Sequence, residues 1–120
     1  MTASSSVETS NVQSFVLGGE PVTDSETILS GQDLAQFSVV GRVTASGKFI
    51  LSNSGAADGS ENPVGITLEA VDATGGDETA PLYKGGEFDL DQCIFHASFS
   101  TDLLKKAAFD RTAIVLKKRG

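Results

Sequence analysis

The sequence holds no tryptophan and only one cysteine, one histidine, one methionine and one tyrosine. One cysteine cannot form an intramolecular disulfide, which excludes a disulfide-stapled secreted module and any need for an oxidising compartment. Zinc takes four protein ligands in a structural site, or three and a water in a catalytic one. Cys93 and His96, spaced CxxH, have no second Cys or His to complete such a set. The expectation is no metal and no cofactor. No apolar run approaches the roughly 20 residues of a spanning helix, and the start lacks the basic and apolar regions of a signal peptide. The chain reads as soluble when made, with no membrane partner. Neither GxxxxGK[ST] nor GxGxxG stands before a helix, and no GxSxG accompanies the single His, so a phosphate cradle and a serine triad both lack their residues. These absences point away from an enzyme.

Basic residues are also scarce over most of the length. Residues 1–100 carry 14 acids against Arg42, Lys48 and Lys84, a balance of −11, whereas residues 101–120 carry six bases against Asp102 and Asp110, a balance of +4. An acidic body repels phosphate, so no nucleic-acid partner is expected. The basic end, Lys117-Lys118-Arg119, is either a solvated terminus or a contact for an acidic partner; isolated surface charge is worth little by itself.

What is present is one domain's worth of chain. A length of 120 residues, 39% apolar and 21% charged, fits a single core. The first 14 residues include nine Ser, Thr, Asn or Gln, the composition of a tail. They lead into Phe15-Val16-Leu17, a short β-prone cluster stopped by Gly18-Gly19 and Pro21. Burying those three side chains is worth roughly 1.5 to 3 kcal/mol each. Fixing some fifteen backbones costs about 1 to 2 kcal/mol each, so residues 1–19 are expected to be a flexible arm that needs the domain or a partner to order it.

Strand signals follow. Gln36–Val43, a turn at Thr44–Gly47 and Lys48–Ser52 have hairpin spacing, and the continuous apolar centre of KFILS is consistent with burial on both faces. Asn53–Asn62 is a polar, glycine-rich loop. From Pro63, the residues Val64, Ile66, Leu68 and Ala70 alternate with Gly65, Thr67, Glu69 and Val71 at a period of two. After a turn at Asp72–Thr79, Pro81-Leu82-Tyr83 and Glu87–Asp91 read as two short paired strands, with Phe88 and Leu90 inward and Glu87, Asp89 and Asp91 outward. A helix is expected from an N-cap at Ser100, with Asp102 in its first turn, Lys105 and Lys106 near its end and Leu103, Leu104, Ala107 and Ala108 on one stripe. Thr112–Leu116 closes the chain as a strand. The predicted fold class is α+β, mostly β: a small β-rich single domain with one short C-terminal helix and a flexible N-terminal arm. The arm spans 1–19 and the domain 20–120, with a basic tail at 117–120.

Two constellations carry possible chemistry. Cys93 and His96 would make a thiol–imidazole pair, but positions i and i+3 of a strand face opposite sides, and the commoner fate of a free Cys is a small buried hydrophobe. Asp89 and Asp91, extended by Glu87, share one strand face and could bind a cation. Calcium needs six to eight oxygens, and the bland reading is an acidic strand face that discourages edge pairing.

The order of these features resembles a known family. GKFIL, the glycine-rich loop, NPVGITLEAVDA, DATGGDE, LYKGGEFDLD, LLKKAAF and RTAIVL follow one another as in the phage head decoration proteins of the lambda D family, over roughly residues 34–116. The most specific unit places Val64, Gly65, Ile66, Ala70, Tyr83, Lys84, Gly86 and Phe88 where that family has like residues. Lys105, Lys106, Ala108, Phe109, Thr112, Ala113 and Ile114 resemble its C-terminal pattern. The arm differs in sequence from lambda's, the loop before Pro63 is longer, and residues 117–120 extend beyond where the lambda protein stops.

The resemblance implies a homotrimer on the exterior of the expanded phage head. There it would cement neighbouring capsomers of the major capsid protein, residing in the virion after synthesis in the bacterial cytoplasm. It also implies an arm that pairs with a capsid strand. The candidate capsid-binding residues are Ser14, Phe15, Val16 and Leu17, a β-prone segment suited to strand addition. A different class of function is a small β-rich ligand-binding module for carbohydrate or a divalent cation, using Asp89 and Asp91 or the 53–62 loop. With no Trp and one Tyr the chain is poorly equipped for a sugar platform.

Overall fold

The computed structural model describes residues 15–118. It is mostly β, with 46% strand, 10% helix and one short helix near the C-terminus, as the sequence predicts. Among the described residues there are eight strands: β1 (Val16–Ile28), β2 (Asp33–Leu34), β3 (Val39–Arg42), β4 (Phe49–Leu51), β5 (Pro63–Thr67), β6 (Val71–Asp72), β7 (Glu78–Asp89) and β8 (Ala113–Lys117). A 3₁₀ turn at Leu90–Gln92 and a helix, α1 (Asp102–Ala107), lie between the last two.

Pairing runs β1–β4–β3–β5–β7 and returns through an additional β1–β7 ladder, so five strands close into a ring; β8 joins β7 in parallel and β2 pairs with β6 outside it. The expected hairpin is β3–β4, with Val40 opposite Leu51 and Arg42 opposite Phe49. Its turn needs Gly47 at φ 74, a region that costs glycine nothing.

Apolar doublets in the sequence have a common cause. Ile28, Leu34, Val40, Phe49, Val71, Ala73, Ala80 and Leu82 form one buried cluster, and every strand of the ring reaches it once Leu51 and Val64 at its margin are included. Phe15, Phe37, Val39, Ile66, Tyr83, Phe88, Leu90, Phe109, Ile114 and Leu116 form a second. Val39 and Val40, and likewise Leu82 and Tyr83, therefore point into different cores: successive strand residues face opposite sides, and both sides are covered.

Several expectations are corrected. The segment 81–91 is not two short strands; β7 runs unbroken for 12 residues through Gly85 and Gly86. Gly86 sits at φ 129, where an added Cβ would lie 2.9 Å from the Phe88 ring. The period of two after Pro63 ends at Thr67, because Ile66 and Thr67 are both buried while Glu69 and Ala70 are exposed. The helix N-cap is Thr101 rather than Ser100: its Oγ1 accepts the Leu104 N–H at 3.2 Å. The helix buries none of its residues, and Leu103 and Leu104 remain 77% and 48% exposed, so its apolar stripe is not core.

The domain also takes up the chain earlier than composition suggests. Gly18, Gly19 and Pro21 do not stop a strand; they fall where β1 slips register, with Gly18 opposite Glu87 and Val22 opposite Gly85. Phe15 has no exposed surface. It and residues 16–19, expected in the arm, belong here to core and sheet, since β7 supplies the hydrogen bonds and neighbouring rings the burial that the cluster lacks alone. Ser14 and the rest of 1–14 lie outside the described residues, as do Arg119 and Gly120.

Candidate functional site

The two constellations suggested by sequence separate. Cys93 Sγ approaches the Asp89 carbonyl at 3.6 Å. Burial, reinforced by the Asp89 charge and opposed by Lys105, pushes its thiol up to about 12. A thiol held protonated through neutral pH is no nucleophile. His96 turns elsewhere: its Nδ1 lies 3.0 Å from both the Ser98 hydroxyl and the Ser98 amide. Asp89 does not face outward with Glu87 and Asp91. It is buried, and its Oδ1 accepts the Asp91 N–H while Oδ2 accepts from Gln92 Nε2 at 2.9 Å. The strand bends into the 3₁₀ turn at that residue, so Asp89 caps the turn and the carboxylate row is broken. The cation reading thereby loses the arrangement on which it rested.

The 53–62 loop is likewise occupied with itself. Asp58 accepts from the Ser60 amide and hydroxyl, which hold its carboxyl below the usual range. Glu61 accepts the Gly59 N–H at 2.8 Å, and the buried Ser52 hydroxyl donates to the Ser60 carbonyl at 2.6 Å.

What the fold does assemble is an end of the molecule. Phe88 of β7 has Val16 beside it on one edge and Leu116 on the other. The first and last strands therefore flank one residue, and the start of β1 and the end of β8 lie at the same end of the fold. Of the expected capsid-binding residues, Val16 and Leu17 are half-buried here on β1, and Phe15 is buried beneath them in the core. β1 spends one edge on β7; its other edge meets β4 only at Ile28 opposite Phe49. Thr23, Asp24 and Ser25 are all exposed in consequence.

The two described lysines of the basic tail are tied down at this end. Lys117 reaches Glu87 at 3.1 Å, and Lys118 reaches Asp102 at 3.0 Å and Asp91 at 3.4 Å. The Asp102 carboxyl is lowered chiefly by its hydrogen bond from Lys118, whose own amine is raised by the same contact. Sequence offered a free terminus or a partner contact; the two described lysines instead pair within the chain. Beside α1 lies an open groove of about 610 Å³, with Phe99, Pro63, Val64 and Leu104 as its apolar wall and Glu61, Asp110 and Arg111 among its polar residues. The convergence at Phe88 and the open edge of β1 were invisible in sequence, because both depend on which strands pair. The one usable signal was Phe15 itself, an aromatic set among polar residues.

The model of the family described as bacteriophage lambda head decoration protein D matches residues 5–116. The chain belongs to that family. The match covers nearly the whole chain and extends well before residue 34, where the sequence resemblance began, into the polar N-terminal segment. No curated protein matches the chain. The head decoration family is one of structural capsid proteins and not of enzymes, and membership implies binding to the phage capsid and a place in the virion.

Proposed function

We propose that this head decoration protein binds the exterior of the expanded phage head as a homotrimer and stabilises the shell without chemistry. The end of the molecule around Phe88 faces the shell in this reading. The observation that carries it is the convergence of Val16 and Leu116 on Phe88, which brings the start of β1 and the end of β8 to one end of the fold. An edge of β1 that, among the described residues, has no strand partner between Val16 and Thr27 supports strand addition, in which backbone groups of a capsid strand complete the ladder. Val16 and Leu17 are the natural point of pairing, because the β1 edge beyond them carries the protections of an edge strand: a register slip, Pro21 and the charges of Glu20 and Asp24. In a trimer three such segments act together, so modest individual affinities combine through effective concentration.

Removing residues 1–14 tests the reading and keeps every described residue. The shortened chain is expected to fold, to keep the mass of three chains in light scattering, and to lose retention on expanded shells in co-sedimentation. Decoration as tight as that of the full chain would overturn the role of the segment, and a monomeric mass for the full chain would overturn the trimer.

A further inference from the structure

We propose that Leu103 is the knob of a contact between copies of this chain, and that the groove beside α1 is the hole that receives it. The two lie on different sides of one short helix. Leu104 and Ala107 line the groove together with Pro63, Val64 and Phe99, whereas Leu103 is no part of its wall. Successive helical residues differ by about 100°, so Leu103 turns away from the groove that Leu104 helps to form. Leu103 is 77% exposed, more than any other large apolar side chain among the described residues.

Charge matches the same pairing. Lys106 stands three positions after Leu103 and hence beside it; it is exposed and forms no ion pair among the described residues. The other charges of α1 are engaged, Asp102 by Lys118 and Lys105 over the Phe95 ring at 5.5 Å. The groove carries Glu61 and Asp110 against Arg111, a net negative rim, and neither acid forms an ion pair among the described residues. Glu61 spends one oxygen on the Gly59 N–H. A copy that seats its Leu103 against Pro63, Val64 and Phe99 thus brings its Lys106 to an acidic rim. Burial of the leucine supplies affinity, and the lysine sets the orientation.

A knob and a hole on different surfaces make a head-to-tail contact. Repeated, such a contact closes into a ring or runs on as a filament; it does not make a two-fold dimer, in which one patch meets itself. Closure at three copies rests on the homotrimer proposed above, and the knob and its groove name the surface that this homotrimer uses.

Light scattering and cross-linking of the full chain test it. Leu103→Asp removes an exposed side chain and places an acid in the first turn of the helix, where the dipole favours it. The variant should keep the circular dichroism of the parent, while its mass falls from three chains to one at the same concentration. A mass of three chains in the variant would overturn the contact and leave the homotrimer standing, and lost retention on shells by that trimeric variant would assign Leu103 to the shell instead. A single-chain mass for the unaltered protein would overturn the homotrimer itself, and the ring with it. A second measurement spares the charge of α1. Asn62 is an exposed residue of the groove, and a chain carrying both Leu103→Cys and Asn62→Cys should oxidise to linked species of two and three chains, at least tenfold more than either single variant. Equal linkage in Leu103→Cys alone would show knob meeting knob and refute the head-to-tail arrangement.

Discussion

Phe15 lies flat against Phe37, with ring centroids 3.9 Å apart and planes 10° from parallel. Phe37 reaches that position at φ 66, a region costing a bulky residue about 1 to 3 kcal/mol. Its backbone is held on both sides, by its own N–H to the Thr67 carbonyl and by the Ile94 N–H to its carbonyl. Phe88, 5.0 Å away, and Tyr83, at 5.7 Å, complete the nest. Phe15, the first of the described residues, is thus a plug in one of the two cores.

Phe15→Ala should consequently destabilise the domain by about 3 to 5 kcal/mol, the usual cost of truncating a buried Phe, seen as a shift of the urea midpoint at unchanged slope. Phe15→Asp should be worse and lower the melting temperature sharply. A variant with Asp at this position that melted like the parent would mean that Phe15 leaves the core at little cost.

The strand-rich class, the β3–β4 hairpin and the closing strand were readable because local pattern and turn chemistry determine them. Phe15 was not, since its burial is supplied by Phe37, Tyr83 and Phe88, which lie 22 or more positions away in sequence. The same reason hid Asp89. Alternation from Phe88 places it outward, and only the bend into the 3₁₀ turn reverses that. Leu103 and Leu104 failed the opposite way: their stripe has the spacing of a core helix, yet the fold leaves α1 on the surface. Of the candidate site, the polar segment and its family were legible, while the meeting of β1 and β8 at Phe88 needed the strand order.

Two glycines make a matched pair. A Cβ on Gly41 would stand 2.1 Å from the Ser60 carbonyl oxygen, a backbone atom already fixed by the Ser52 hydroxyl. Gly75, in the turn before β7, has nothing within 4 Å. Gly41→Ala should cost about 1 to 3 kcal/mol or more through forced backbone movement. Gly75→Ala should be neutral or stabilise by up to about 1 kcal/mol by restricting the unfolded chain. Denaturant melts of the two variants check both; equal effects would show that the β3 contact with Ser60 is slack.

The Asp102–Lys118 pair fixes a pH window. Asp102 is lowered in the folded chain, so its contribution is present above the ordinary carboxylate range and is lost as acid takes the pH down through the folded value. Lys118 is raised, so its contribution is present below the ordinary lysine range and is lost as the pH rises through the folded value. Asp102→Asn should lower the melting temperature slightly at pH 7, by less in high salt, and the difference should vanish as acid takes the pH below the folded value of Asp102, where both are neutral at that position. A difference that persisted in strong acid would assign the effect to helix capping rather than charge.

Cys93 gives the simplest readout of the folded state. With its thiol near 12, the thiolate fraction at pH 8 is about one part in ten thousand, against roughly a quarter for an unperturbed cysteine. A thiol reagent added to the native protein should react at least a hundredfold more slowly than with the same chain in urea, and the residual native rate should follow opening of the 3₁₀ turn that carries the Asp89 carbonyl. Between pH 7 and 9 the labelling of Cys93 should stay slow in absolute rate but keep rising about tenfold per pH unit, whereas that of a cysteine of ordinary pKa levels off toward the top of the interval. Asp89→Asn separates the two causes. Removing the charge should speed labelling only modestly, because burial is the larger influence on this thiol and the carboxylate the smaller; rapid labelling of that variant, with the fold intact by circular dichroism, would reverse the order.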